Sequence, residues 1–413
     1  RPWGRDTSIG KDAPTVPKQD RHGFCVDFSH DEAARIDYLS SLRGYVLHDM
    51  AAQMRAAYDD QVTADFVHQH GRKPQNGDEV HDAMASLAIF KAYGAARVTA
   101  QELVWHSLIR PVARHADAFA AIAAKAAQEN SAGGSVVVDA KFHVPKNVSG
   151  IDVHLQEGAY CHEDFAGDVS SPAVLDHGLT AFTFGLLGPQ YDDIGRSIAR
   201  FIHYRYPEFR PLKILDTGCT FGKNLLPWKN QYPDAEIYAI DVAGPSLLYG
   251  HAQAESQGLA VHFRQMSADD LQFEDGSFDL VFSSMFLHEI SRDTTDKTFD
   301  EIYRVLKPGG FMLHMELPPN NSQAEPYDSF YLDWDNYYNA EPFYKAYRDQ
   351  DPKTLCVRAG FAKQNYVQFI IPSLYNDGED AVKQAALGRS SVDEDTGVFR
   401  KGVQWFTFGA WKE

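Results

Sequence analysis

The chain has 413 residues, 44% hydrophobic and 23% charged, the composition of a water-soluble globular protein longer than one typical domain. Its formal charge of -18 repels a phosphate backbone and no basic stripe interleaves with aromatics, so a nucleic-acid partner is disfavoured; no apolar run reaches the roughly 18 residues that span a bilayer. The segment RPWGRDTSIG lacks the apolar centre of a secretion signal, and four dispersed cysteines (Cys25, Cys161, Cys219, Cys356) argue against a zinc site or a disulfide framework, so a cytoplasmic protein is expected.

Residues 1–20, rich in Pro, Lys and Asp, read as a loose tail, and 21–130 as a helical region. From Asp31 to about Tyr58, Ile36, Leu39, Val46, Met50 and Met54 recur at helical spacing, with Asp31 as cap or first-turn acid. Val80, Met84 and Leu87, then Leu103 and Leu108, and beyond a break at Pro111 the set Val112, Ala116, Phe119 and Ile122, mark further helices. Such a region packs against a neighbour, forms a homodimer, or covers a substrate pocket. Residues 131–187 read as a connector, with SVVVDAKFHV and GIDVHLQEGAY as short strands ahead of a stretch rich in Gly, Ser and Pro. In 188–413 strands are expected at 212–217, 236–241, 260–265, 278–284, 310–317, 361–371 and 403–411. The first five alternate with helices, the fourth of these stopping at Pro308 and Gly309, and the last two strands follow one another without a helix. The fold class is α/β, with helices on both faces of one sheet.

The run KILDTGCTFG at 213–222 is an apolar strand ending in Asp216, Gly218 and Gly222, with a helix expected from about Phe221; it makes a ligand cradle at the carboxyl end of a parallel sheet. A dinucleotide loop needs glycine two positions after Gly218, where this chain has Thr220, which also counts against an NAD-dependent oxidoreductase. A phosphate-binding P-loop needs Ser or Thr where Asn224 follows Lys223. The loop suits a nucleoside without a phosphate bridge. Downstream come AEIYAIDVA, whose Asp241 lies 25 residues beyond Asp216 and is placed to accept from two ribose hydroxyls, then VHFRQMSADD, DGSFDLVFSSMFLHEI and EIYRVLKPGGFMLHMEL. In order and spacing these resemble the motifs of the class I S-adenosylmethionine (SAM)-dependent methyltransferases, small-molecule branch, over about 191–413.

The resemblance implies a seven-stranded sheet whose last strand is antiparallel, SAM as cofactor and a small-molecule acceptor. It further implies cofactor contacts at Tyr191, Asp216, Gly218, Cys219, Gly222, Asp241, Val242, Ser267, Ala268 and Ser283. Ser267-Ala268 departs from the Asp-Ala that meets the adenine amino group in many relatives, leaving Ser267 or Asp269 for that contact. Methyl transfer from a sulfonium is an in-line displacement that requires no metal; positioning and exclusion of water dominate. A base assists where the acceptor carries a proton, and His288 with Glu289, just past the fourth strand, is the candidate against a packing role. Within the insertion at 318–352, Tyr327, Tyr331, Trp334 and Tyr338 share one helical face, which reads either as core or as an acceptor wall suited to a planar or cationic substrate. O-methylation is the first reading, N-methylation the second, and a non-catalytic SAM-binding regulator or scaffold the alternative of another class.

Overall fold

The computed structural model describes residues 23–322, 325–389 and 403–413, so the tail expected at 1–20 lies outside the described residues. Eight strands form one sheet: β1 (Ser135–Val137), β2 (Lys213–Thr217), β3 (Glu236–Asp241), β4 (His262–Gln265), β5 (Phe278–Ser284), β6 (Leu306–Glu316), β7 (Tyr366–Pro372) and β8 (Gln404–Trp411). Their order is β1-β4-β3-β2-β5-β6-β8-β7, parallel from β1 through β6, with β8 antiparallel to both of its neighbours. The seven expected strands are all present, and the last in sequence is the reversed one. The order changes direction between β2 and β5, and in open α/β sheets the crevice that takes a ligand lies at the carboxyl ends of the strands at such a switch point.

Each face of the sheet carries helices, because β2, β3 and β5 are apolar on both sides and must be covered twice. One core gathers Ile198 and Phe201 of the helix Asp193–Arg205 with Trp228, Leu247, Val382 and strand residues such as Ile214 and Phe282. The opposite core joins Phe299 and Ile302 of Arg292–Val305 to Leu215, Val281 and Phe406.

Several local expectations are corrected. The helix after β2 begins at Leu226 rather than Phe221, because Thr220 and Gly222 both adopt left-handed backbone (φ 51° and 81°), which a helix does not tolerate. The helix before β6 ends at Val305, and Leu306, Lys307, Pro308 and the two glycines already belong to the strand. A helix, Leu374–Ala386, does separate β7 from β8.

In the connector only 135–137 is a strand; it pairs with β4 as an eighth member of the sheet. The segment GIDVHLQEGAY is irregular, with a single tight turn at Val153–Leu155, and 170–183 is a helix. The N-terminal region is helical as expected. Its first long helix starts at His30 with Ser29 as cap, Glu32 closing the reciprocal capping box and Asp31 in the first turn. The helix Ala88–Ala113 runs through Pro111, which stands in its last turn, so the break comes at 114–115. These helices pack on the sheet domain of their own chain: Val104, Trp105, Leu108 and Phe119 share a core with Phe221 and Tyr249.

Candidate active site

The crevice is built from three strand ends. At β2, Asp216 is buried and the chain then turns through Gly218, whose φ of 71° suits glycine; a Cβ there would come within 2.2 Å of the Phe286 ring. The N–H groups of Gly218 and Cys219 both bond to the carbonyl of Ile240, tying the loop to β3. Thr220 donates its N–H to Asp241 Oδ2 at 2.8 Å, and Ala243 donates to Oδ1 at 2.9 Å. Thus the position where a dinucleotide loop offers a backbone to phosphate is turned instead onto a carboxylate. Each Asp241 oxygen keeps a lone pair for a ligand hydroxyl.

Burial pushes the Asp241 carboxyl up to about 6 against the three backbone N–H groups that favour its ionised form. Asp216 is driven well above the ordinary carboxylate range by burial and then by the charge of Asp241. Two crowded carboxyls in one crevice favour a cationic ligand, whose charge lowers both. Cys219 is buried and its thiol is pushed far up by the same burial and charges, so it is an inert loop residue.

The remaining cofactor expectations divide. Val242 follows Asp241, and its carbonyl accepts from Gln265 Nε2 at 2.9 Å; Met266 N donates to the Asp241 carbonyl at 3.1 Å, and Ala268, two residues on, is buried. Ser267 bonds through its hydroxyl to Asp269. Tyr191 is buried with its hydroxyl on Thr180, so it braces the helix Ser170–Thr183 against the crevice. Ser283 shares a 2.7 Å bond with His314 Nδ1 of β6 and is 1% exposed, so its hydroxyl is engaged inside the fold.

Sequence reasoning missed the cover. Lys223 lies 3.4 Å from Asp176, a fully buried carboxylate on the helix 170–183 that also accepts from Tyr249 and Gln253. Tyr160 and Cys161 of the connector stand close enough to Asp241 for its charge to help raise both, after burial, which takes the Cys161 thiol to about 12. No spacing signal marks these residues; tertiary packing alone brings them to the crevice.

Beyond β5, Met285 takes a φ of 54° and the chain makes a short turn at Leu287–Glu289. Glu316, at the end of β6, holds that turn: Oε1 accepts from Phe286 N and Leu287 N (2.8 and 2.5 Å), and Oε2 lies 2.7 Å from His288 Nδ1. Burial works against a charged His288, but Glu316 outweighs it and takes the imidazole up to about 9. The candidate base is therefore an imidazole whose Nδ1 is held on a carboxylate, with Nε2 on the side of Glu289. Glu289 reaches the other way, with Oε1 3.5 Å from His154 Nε2 and 3.8 Å from His288 Nε2.

The aromatic face of the insertion points away from this turn. Tyr327, Phe330 and Tyr331 share a core with Val80, Met84, Phe90 and Tyr93 of the N-terminal helices. Trp334 stacks on His81 at 3.6 Å, and the Tyr338 ring lies against Gly94. Asp335 accepts from Arg97 Nε at 2.8 Å and Tyr93 OH at 2.6 Å, so its charge serves docking as well. The reading of Tyr327, Tyr331, Trp334 and Tyr338 as an acceptor wall is corrected to a packing surface, since the N-terminal helices occupy the face they would have lined.

Residues 214–310 match the family described as "Methyltransferase domain". Among curated proteins the chain is 33% identical over 144 residues to demethylmenaquinone methyltransferase of Thermus thermophilus, covering 33% of this chain and 64% of that protein. It is 28% identical over 141 residues to malonyl-[acyl-carrier protein] O-methyltransferase of Enterobacter lignolyticus, covering 33% and 53%. The chain thus spans less than two thirds of the length of these relatives. A solved phosphoethanolamine N-methyltransferase 2 of Haemonchus contortus is 19% identical, with 59% of each chain covered and a TM-score of 0.39. The strand order with its reversed final strand, the loop after β2 and the family match over 214–310 together identify a class I methyltransferase domain in this chain.

Proposed function

We propose that this protein binds SAM in the crevice between the 218–222 loop and Asp241 and transfers its methyl group to a small-molecule acceptor, at a hydroxyl in the first reading. The observation that carries the proposal is the Thr220–Asp241–Ala243 arrangement, a carboxylate pre-oriented by two backbone N–H groups at a strand end. Such a group accepts from ribose hydroxyls at little reorganisation cost. The ring of Phe286 on Gly218 brings the 285–289 turn against the loop, so the acceptor is assigned to that side, with Glu289 as the contact and His288 as the residue that positions it. Methylation of a small amine is the second reading, favoured by the carboxylates gathered at that turn.

The acidic chain supports a small acceptor over a nucleic acid, and four free cysteines support a reducing compartment such as the cytoplasm. Homodimerisation through the N-terminal helices is decided by sedimentation velocity. The functional test is titration with SAM and S-adenosylhomocysteine by calorimetry, followed by incubation with labelled SAM and a metabolite extract and mass spectrometry of the labelled product. Binding without transfer to any acceptor would favour a regulator or scaffold. No binding would refute the proposal.

A further inference from the structure

Three segments far apart in sequence meet beside the 285–289 turn. His154 comes from the connector, Glu289 from the turn after β5, and Glu341 from the loop after the helix Pro326–Tyr337. Glu289 Oε1 stands 3.5 Å from His154 Nε2, and Glu341 Oε1 stands 3.0 Å from His154 Nδ1. One potential ligand atom from each residue lies within 4.8 Å of the other two. The position of His154 is enforced: its backbone and that of Leu155 are left-handed (φ 57° and 61°), and its carbonyl accepts from Trp105 Nε1 and Gln101 Nε2 at 2.7 and 3.1 Å. A non-glycine residue persists in that conformation only where surrounding bonds hold it.

The second observation is a deficit of partners. Glu341 is 7% exposed, and its Oε2 has no hydrogen-bond partner; Asn339, 3% exposed, donates to Glu341 Oε1 at 3.2 Å and lies 2.8 Å from His154 Nδ1, while its own Oδ1 is also unmatched. Among the described residues no lysine or arginine pairs with Glu289, Glu341 or Glu316; Arg97, which feels the charge of Glu341, is paired with Asp335. Three carboxylates largely withdrawn from water thus face two imidazoles, and among the described residues no other cation is paired to them. Buried carboxylates of this kind are paired or coordinate a metal.

We propose that His154, Glu289 and Glu341 form a binding site for a divalent first-row metal ion, with His288 Nε2, 3.8 Å from Glu289 Oε1, as a further donor. Donors of a tetrahedral ion at about 2.1 Å stand roughly 3.4 Å apart; Glu289 is nearest Nε2 and Glu341 nearest Nδ1, so the ion takes one ring nitrogen and the farther carboxylate, within 4.8 Å, turns in to reach it. One imidazole and two carboxylates suit Mn2+, Fe2+ or Zn2+ better than the all-oxygen sites of Mg2+. His288 has the support that orients metal-bound histidines, since its Nδ1 stands on Glu316 and leaves Nε2 for the ion. In the methyl transfer proposed above, an ion here would bind an acceptor oxygen and lower the pKa of its hydroxyl, but the site itself stands on geometry that does not depend on that reaction.

The test uses the full chain, stripped with EDTA, with Mn2+ as probe followed by calorimetry and electron paramagnetic resonance, and Zn2+ as competitor. Expected are one Mn2+ per chain, displacement by Zn2+, and affinity at least tenfold weaker in both Glu341→Gln and Glu289→Gln, whose side chains keep their shape. SAM titrated into the same samples reads the crevice separately, so loss of metal binding with SAM affinity retained is a defect of this site alone. Circular dichroism confirms the fold of each variant. The proposal is overturned if the parent takes up no Mn2+ or Zn2+, if both variants bind as the parent does, or if a small alkylammonium ion binds at the cluster where the metals do not, which would assign it to an amine acceptor.

Discussion

Replacing Asp241 with Asn separates what the residue does for the fold from what it does for the ligand. In the ligand-free protein the carboxyl titrates at about 6 instead of 3.8, a difference of about 3 kcal/mol. The folded-state value is the raised one, so this contribution to stability is fully present below pH 3.8 and lost as pH rises through about 6. At pH 8 the parent therefore carries a buried charge at a cost that Asn avoids. Against that gain, the amide offers one oxygen where the carboxylate offered two, and either Thr220 N–H or Ala243 N–H loses its acceptor, at about 1 to 3 kcal/mol. The two effects offset, and Asp241→Asn should unfold within about 2 kcal/mol of the parent. SAM binding should behave differently. Loss of a charged acceptor for the ribose hydroxyls removes about 1.5 to 3 kcal/mol per bond, or roughly 10- to 100-fold in affinity for each. If only the ionised carboxylate binds, parent affinity at pH 5 is about tenfold below that at pH 8, because one unit below the apo pKa only about a tenth of the protein is competent. Calorimetry at the two pH values, with the Asn variant as control for the titration of SAM itself, reads both effects. A variant that unfolds several kcal/mol earlier yet binds SAM like the parent would refute the assignment, as would equal pH dependence in the two proteins.

Gly218→Ala should abolish measurable SAM binding while the chain stays folded, since its Cβ meets the Phe286 ring at 2.2 Å in left-handed backbone and the loop must open; calorimetry beside circular dichroism decides. Tyr331→Ala should lower stability by about 3 kcal/mol or more with SAM affinity within a few fold, because it empties a core shared with Tyr93 and Phe330. Intact stability with weakened product formation would restore the acceptor wall. Asp176→Ala should destabilise by about 2 kcal/mol or more in urea unfolding, since it removes a fully buried acceptor of Tyr249 and Gln253 and the ion-pair partner of the half-buried Lys223 amine; a neutral result would show that water replaces the carboxylate.

The sheet was legible because its signals are local. An apolar run such as ILDT is buried on both faces wherever it lies, and Gly218, Thr220 and Asp241 mark a strand end by their own backbone needs and spacing. What failed to show is what depends on a distant partner. The stripe Tyr327, Tyr331, Trp334 and Tyr338 has one helical period whether it faces a ligand or another helix, and only the docking of Arg97 on Asp335 decides between them. His288 reads as a free imidazole until Glu316, 28 residues on, is folded against it. His154 carries no signal at all: the connector has no period, and its left-handed backbone is imposed by Trp105 and Gln101 of a separate helix. The connector and the N-terminal helices supply these contacts, since Asp176 of the helix 170–183 pairs with Lys223 next to the 218–222 loop while Trp105 holds His154 next to the 285–289 turn. On the proposed placement of the site the N-terminal helices and connector take part in its construction, and a fragment beginning at residue 188 would keep the strands of the cradle while losing Asp176, Trp105 and His154.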